Sequence, residues 1–96
     1  MRESDIERAV VRYAEKTLGM LVLKLNGPGN RGKPDRAFFD CDRKCLVVEF
    51  KAPGKKPTAL QVYWLEKFRR LGFPAFICDN IEEGRELLDK FHSGEL

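Results

Sequence analysis

The sequence predicts an α/β domain in which a mixed four-stranded sheet is flanked by helices, in the order α-β-β-β-α-β-α. Three observations predict this fold class. Capping signals precede three amphipathic segments, short apolar runs separate these segments, and a helix joins the last two runs. A helix between two strands predicts a right-handed crossover between parallel strands, which would make the sheet mixed. Because 96 residues allow one small domain, residues 1–96 are expected to form a single unit.

Local signals predict where the helices begin and end. A capping box at Ser4–Glu7 starts the first helix, and Gly19 closes it. A second box at Thr58–Gln61 starts the middle helix, which stops at Gly72. Asn80 caps the last helix, which runs to about residue 92. The middle helix is expected to bury one apolar face, formed by Leu60, Trp64, Phe68 and Leu71.

The strands are predicted from alternating or continuous apolar runs between turn signals. They are Met20–Leu25, Arg36–Asp40, Lys44–Lys51 and Ala75–Cys78. A tight turn over residues 40–44 would fold the second and third strands into a hairpin. Residues 27–33 contain three glycines and one proline, and they are expected to form an irregular loop.

Acidic residues occur at two positions of the predicted hairpin. Glu49 interrupts an otherwise apolar strand, and Asp35 precedes the neighbouring strand directly after Pro34. The hairpin would bring Asp35 toward Glu49, and alternation along the strand puts Glu49 and Lys51 on one face. Proline has a fixed φ angle, so the turn before Asp35 is expected to be rigid and to aim its carboxylate reproducibly.

This combination of side chains suits metal-dependent hydrolysis of phosphodiesters. Two neighbouring carboxylates repel each other, and a divalent metal relieves that repulsion. A nearby lysine could orient or deprotonate a water for attack on phosphorus. The alternative is that Asp35 caps a turn and that Glu49 and Lys51 form a surface pair. The apolar residues before Glu49 favour an interior strand, where a buried acid requires a partner.

The segments Pro34-Asp35 and Glu49-Phe50-Lys51 resemble the PD-(D/E)XK nuclease pattern. Within that superfamily, the chain is similar to the VRR-NUC family of virus-type replication-repair nuclease domains. The similarity rests on Glu7 in the first helix, the glycine-rich loop before Pro34, and Gln61 in the helix that follows the lysine strand. It extends from about residue 4 to about residue 78.

The resemblance implies a restriction-endonuclease-like core and a cofactor, Mg²⁺ or Mn²⁺. It implies metal ligation by Asp35, Glu49 and the main-chain carbonyl of Phe50, with Glu7 completing or extending the site. Lys51 would hold or deprotonate the attacking water, and Gln61 would position water or the DNA backbone. Glu7 and Gln61 each occupy the third helical position of a predicted capping box, so helix capping remains an alternative for both.

The resemblance further implies DNA cleavage that leaves a 5′-phosphate and a 3′-hydroxyl. Standalone relatives are similar to four-way (Holliday) junction resolvases and act as homodimers. Cleavage of flaps, nicks or plain duplex is an alternative specificity, and a non-catalytic DNA-binding module is an alternative from another class. The dimer surface is open between the last helix, with Leu87, Leu88 and Phe91, and the middle helix, with Tyr63 and Trp64.

The distribution of charge is consistent with a polyanionic partner. The formal net charge is only +3, but basic residues collect around the proposed site while acids collect in the last helix. The alternative for each basic residue is an ordinary solvated side chain. The candidate DNA contacts are Lys24, Asn26, Asn30, Arg31, Lys33, Lys55 and Lys56.

Several other expectations follow from composition and context. No apolar stretch is long enough for a membrane span, and the charged start gives no signal peptide. Three cysteines without a Cys-x-x-Cys pair fit a reduced cytoplasmic protein. No organic cofactor is expected, and the family suggests a phage or prophage origin. A zinc site formed by Cys41, Cys45, Cys78 and His92 is a conceivable alternative.

Overall fold

The computed structural model describes all 96 residues and has the predicted order of elements. The four strands form one sheet in the order β1-β2-β3-β4, in which β3 and β4 are parallel and the other neighbours are antiparallel. The fold class is therefore confirmed as α/β with a mixed sheet. The elements are α1 (Glu3–Lys16), β1 (Leu21–Lys24), β2 (Arg36–Asp40), β3 (Lys44–Phe50), α2 (Ala59–Arg70), β4 (Ala75–Cys78) and α3 (Ile81–Ser93).

The β2–β3 hairpin sets the geometry on which the proposed site depends. Its turn contains Asp42 and Arg43, both with φ of 61°, the left-handed values that match the twist of a tight hairpin. The register pairs Arg36 with Val48, and the main-chain N–H of Asp35 donates to the Val48 carbonyl at 3.1 Å. The hairpin ladder thus continues past β2 and brings Asp35 to the same level as the end of β3.

The two faces of the sheet are covered unequally. On one face, Leu46, Val48 and Phe50 pack in the main core with α1 and α3. On the other face, a smaller cluster forms around Val47 and Leu65 beneath α2. Because side chains alternate along β3, Glu49 and Lys51 lie on the α2 face. The less completely covered side of the sheet therefore carries the acid and the lysine.

Helix α1 begins two residues earlier than predicted, so the predicted Ser4 cap is wrong. Arg2 is the N-cap, and its main-chain N–H donates to the Asp5 carboxylate at 3.3 Å. Glu7 is consequently the fifth helical residue and is too far along the helix to act as a capping glutamate. Glu3 and Asp5, the acids of the first turn, also interact favourably with the helix dipole.

The predicted start of α2 is confirmed, whereas its predicted buried face is only partly correct. The Thr58 hydroxyl accepts the Gln61 N–H at 3.2 Å, and the Gln61 side-chain oxygen accepts the Thr58 N–H at 2.8 Å. Leu65 is the one fully buried residue of this helix, and Leu60 and Leu71 are exposed. The helix covers only one small cluster of the sheet, so its apolar contact is narrower than a full stripe.

Helix α3 packs its apolar face into the main core. Asn80 caps it as predicted by accepting the Glu83 N–H at 3.0 Å, and Leu88 and Phe91 are buried. Gly84 lies against Val10 of α1, where an added Cβ would come within 2.7 Å of a methyl carbon. The α3 face considered as a dimer surface is therefore already occupied within the protomer. None of the helices combines the length and apolar character that crossing a membrane requires.

The residues proposed for a zinc site have other surroundings. All three cysteines are free thiols, with Cys78 buried and Cys41 exposed. The His92 Nδ1 lies 2.7 Å from the Asp40 carboxylate, which joins the end of α3 to the hairpin. No group of three or more His, Cys, Asp or Glu side chains is arranged to hold a metal. The zinc alternative therefore has no support in the structure.

Candidate active site

Two buried carboxylates form the centre of the site. Asp35 and Glu49 are the only buried charged residues, with 6% and 3% of their surfaces exposed. Each lies at an end of the β2–β3 ladder, and the hairpin register brings them side by side. Burying a charge without compensation is expensive, so this pair requires specific partners.

Main-chain and side-chain donors hold Asp35 at both oxygens. The Phe50 N–H donates to Oδ2 at 2.7 Å, and the Asn26 amide nitrogen donates to Oδ1 at 2.8 Å. The carboxylate is thereby fixed relative to β3. The Phe50 main chain is therefore part of the site through its nitrogen, and metal ligation by its carbonyl remains a prediction.

Glu49 has one satisfied oxygen and one unsatisfied oxygen. Its Oε2 accepts the Gln61 amide N–H at 2.9 Å and lies 3.5 Å from the Lys51 ammonium. Its Oε1 is buried and has no hydrogen-bond partner. A buried acceptor without a donor costs roughly 1–3 kcal/mol. The arrangement thus leaves one carboxylate oxygen free for a ligand.

Gln61 caps its helix and also contacts the site, whereas its role in positioning water or the DNA backbone remains a prediction. Its side-chain oxygen closes the capping box with Thr58, while its nitrogen holds Glu49. The N-terminus of α2 is therefore joined directly to the acid on β3. Lys51 follows Glu49 by two residues, shares its face of the strand, and is mostly buried.

The environment raises the pKa of both acids. Burial raises the pKa of Asp35 to about 6, with a further contribution from the charge on Glu7. Burial and then the charge on Asp35 raise the pKa of Glu49 to about 7, although the Lys51 ammonium opposes this effect. Two acids with raised pKa values beside a lysine are typical of a functional site.

These shifts predict how metal-free stability depends on pH. Both folded-state pKa values exceed the ordinary values of 3.8 and 4.5, so the folded state binds protons more tightly. The protein should therefore lose stability progressively as pH rises from the ordinary values of 3.8 and 4.5, where the unfolded acids ionise, to about 7, where both acids are ionised side by side in the folded state. A bound divalent cation should offset this loss. In melts with Mn²⁺ and with EDTA, the Mn²⁺-induced rise in Tm should grow across that range, and a pH-independent rise would contradict the prediction.

Glu7 lies beside the site but has another partner. Its carboxylate accepts from the Arg36 guanidinium Nε at 2.7 Å. The charge on Glu7 is close enough to Asp35 to contribute to its raised pKa. Its assignment as a metal ligand remains a prediction, and ligation would require Glu7 to exchange this ion pair for the metal.

The predicted DNA contacts occupy different positions around the site. Arg31 lies beside the N-terminus of α2, next to Thr58 and Gln61, and Lys55 and Lys56 are exposed in the loop after β3. Lys33 donates to the Asn30 side-chain oxygen at 3.0 Å and lies over the Trp64 ring. Arg31 and Lys33 therefore lie beside α2, the helix that covers the face of the sheet with Lys51.

Two of the predicted contacts are placed differently. Lys24 pairs with Arg36 and alternates with Leu23 and Leu25, so it points to the opposite face of the sheet from Glu49. The Asn26 side chain contacts Asp35 instead of extending into solvent. The Leu25 N–H donates to the Asp35 carbonyl, which accounts for the position of Asn26 next to that acid. The contact between Asn26 and Asp35 depends on the register in which β1 pairs with β2, and the sequence does not reveal that register.

The donor set fits a magnesium-type ion. Mg²⁺ and Mn²⁺ are held by oxygen ligands, and Mg²⁺ commonly uses one or two carboxylates together with substrate phosphates. Asp35 and Glu49 supply two carboxylates, and the unsatisfied Oε1 of Glu49 is an available oxygen. Carboxylate oxygens are ligands that suit a hard cation of this kind.

The fold and the Asp35, Glu49 and Lys51 arrangement define an α/β domain of the PD-(D/E)XK type. A search against protein-family models finds no match. A curated relative named "Putative nuclease p44", from Acyrthosiphon pisum secondary endosymbiont phage 1, is 36% identical over 80 residues. The alignment covers 83% of this chain and 85% of that protein.

A solved structure described as a VRR_NUC domain superposes with a TM-score of 0.80 and is 27% identical. The match covers 91% of this chain and 94% of that one. The chain belongs to the VRR-NUC family of nuclease domains, as the sequence pattern indicated.

Proposed function

We propose that this protein is a Mg²⁺- or Mn²⁺-dependent DNA endonuclease that cuts four-way junctions as a homodimer. The observation that carries the metal-dependent chemistry is the buried Asp35–Glu49 pair, with one unsatisfied Glu49 oxygen and Lys51 alongside. The relationship to a phage protein named as a nuclease supports the same reaction class. It also supports a phage or prophage origin, with action in the cytoplasm of a bacterial host.

Asp35 and Glu49 would hold the cation, which supplies Lewis-acid activation of the scissile phosphate and of the attacking water. Lys51 would orient that water and stabilise the negative charge that develops on the phosphate oxygens. Gln61 would keep Glu49 in place through its amide nitrogen, which lies 2.9 Å from the carboxylate. The water oxygen would bond to phosphorus as the bond to the 3′ oxygen breaks, giving a 5′-phosphate and a 3′-hydroxyl.

The proposed DNA surface consists of basic groups around the α2 face. Arg31 lies by the N-terminus of α2, and Lys55 and Lys56 extend from the loop directly after Lys51. Lysine and arginine contacts to phosphates provide affinity that does not depend on sequence. Recognition of a branched shape would then come from the spacing of such contacts across two protomers.

A two-fold dimer is proposed because resolving a four-way junction takes two paired cuts and one domain carries one site. Exposed apolar side chains on α2, Leu60, Val62 and Tyr63, support this helix as the surface, since the α3 face is buried in the core. Light scattering should give the mass of two chains at the concentration that resolves junctions. Full junction activity from a monomer would contradict the proposal.

The activity test compares a labelled four-way junction with matched flap and duplex DNA, first in Mg²⁺ and then in EDTA. Paired nicks confined to the junction and abolished by EDTA are the expected result. The Asp35→Asn variant is the matched control, because it removes one charge and preserves the side-chain shape. Metal-dependent cutting of all three substrates would leave a nuclease without junction selectivity. If the protein binds DNA but cuts it neither in Mg²⁺ nor in Mn²⁺, the non-catalytic DNA-binding module is favoured.

A further inference from the structure

The side-chain amide of Asn26 makes one contact and lacks another. Its nitrogen Nδ2 donates to Asp35 Oδ1 at 2.8 Å. Its oxygen Oδ1 is buried and has no hydrogen-bond partner. The residue follows β1 directly, and the Leu25 N–H bonded to the Asp35 carbonyl keeps this part of the chain beside the acid.

The chemistry of the contact determines which way the amide faces. An ionised carboxylate has only acceptors, so the amide must present its nitrogen to Asp35. Rotating the amide would place two oxygens against each other. The unsatisfied Oδ1 is therefore a consequence of holding Asp35 and is not removed by exchanging the two amide atoms.

The two buried side-chain acceptors that lack a partner both belong to residues of, or in contact with, the Asp35–Glu49 pair. They are Asn26 Oδ1 and Glu49 Oε1. Each unsatisfied acceptor is costly, and buried polar groups in proteins nearly always have partners. A hydrated divalent cation at the Asp35–Glu49 pair would offer positive charge and O–H donors to such oxygen atoms.

We propose that Asn26 is a further residue of the metal site: its Nδ2 orients Asp35, and its Oδ1 supports the hydrated cation. This inference rests on the proposed metal-dependent function. It adds to the site a residue from the segment after β1. It also replaces the predicted role of Asn26 as a phosphate contact. An unsatisfied carbonyl oxygen is an acceptor and would repel a phosphate oxygen.

The experiment is a calorimetric titration of the metal-free full-length chain with Mn²⁺, without DNA. Asn26→Ala should weaken Mn²⁺ binding about 10- to 100-fold, the usual effect of removing a group that orients a metal ligand. Glu86→Ala is the control, since Glu86 is exposed on α3, a helix that supplies no residue to the proposed site. Its Mn²⁺ affinity should equal that of the wild type.

A second variant separates the two atoms of the amide and guards against a folding defect. Asn26→Asp keeps an oxygen acceptor but loses the donor to Asp35, so its Tm in EDTA should fall. Mn²⁺ should still bind and should raise the Tm more than in the wild type, because the cation neutralises a third carboxylate. Equal weakening of Mn²⁺ binding in Asn26→Ala and Asn26→Asp would overturn the role of Oδ1.

The outcomes distinguish this inference from the function on which it rests. If the wild type itself fails to bind Mn²⁺, the metal-dependent function is wrong. If the wild type binds Mn²⁺ and Asn26→Ala binds it equally well, only the assignment of Asn26 is wrong. If Asn26→Ala binds DNA more weakly in EDTA but binds Mn²⁺ normally, Asn26 is a phosphate contact, as the sequence predicted.

Discussion

Replacing Lys51 with alanine should lower the rate of DNA cleavage by at least about 10²-fold while DNA affinity changes little. The Lys51 ammonium lies 3.5 Å from Glu49 Oε2 and is mostly buried at the end of β3. One buried cation contributes little to a binding surface that is made by several exposed basic residues. It contributes more to the transition state, in which negative charge increases on the phosphate.

The measurement for Lys51→Ala is single-turnover cleavage of a four-way junction at saturating protein, with DNA affinity measured separately in EDTA. Loss of the Lys51 charge should also raise the pKa of Glu49, because that charge now opposes the effect of burial. The assay is therefore run well above about pH 7. Lys90→Ala, at an exposed position on α3, should leave cleavage unchanged. Unchanged single-turnover cleavage in Lys51→Ala would rule out a catalytic role for this lysine.

Replacing Glu49 with glutamine should have two opposite effects. Mn²⁺ binding and cleavage should be lost, because the free carboxylate oxygen that faces no donor becomes part of a neutral amide. The metal-free protein should at the same time become more stable above about pH 7, where the wild type carries two buried charges side by side. Each unit by which the pKa of an acid is raised costs the folded state about 1.4 kcal/mol once that acid is ionised.

Thermal melts of Glu49→Gln in EDTA and in Mn²⁺ at about pH 8, a unit above the pKa of Glu49, measure both effects. The glutamine oxygen can still accept from Gln61 and Lys51, so the packing is preserved. Glu66→Gln is the matched control, since that acid is exposed and pairs with Arg69 on the surface of α2. A Glu49→Gln protein that is less stable than the wild type in EDTA, or that is stabilised by Mn²⁺ to the same extent, would refute this account.

The opposite effects on stability and metal binding have one physical origin. A site that binds a cation must keep negative oxygens close together before the cation arrives. In this chain the cost is concentrated in Asp35 and Glu49, the only buried charged residues. A small domain has little core to offset it, so the cation is expected to contribute substantially to the stability of the folded protein.

The sequence predicted those features that depend on neighbours along the chain. The Thr58 and Asn80 caps depend on contacts three residues apart, and both are present as predicted. The start of α1 was misplaced because two acids, Asp5 and Glu7, each lie three residues after a possible cap, and local sequence does not decide between them. The structure shows Arg2 as the cap.

Contacts between distant segments could not be predicted in this way. Glu7 pairs with Arg36 across 29 positions, and Asn26 reaches Asp35 only because β1 pairs with β2 in one particular register. The buried face of α2 likewise depends on which part of the sheet the helix covers, and this places Leu65 inside and leaves Leu60 outside. The spacing of apolar residues predicts that a helix has an apolar face, but it does not predict which part of the sheet covers that face.

The sequence alone is enough to predict the order of elements, the β2–β3 hairpin, and the proximity of Asp35, Glu49 and Lys51. Each of these follows from short-range patterns: apolar runs, caps, a tight turn and the alternation of side chains along a strand. The folded structure was needed to see which donors hold the two acids, which residue neutralises Glu7, and which buried oxygens lack a partner. Those outcomes depend on strand register and helix packing, in which the free energies of many distant contacts are balanced together.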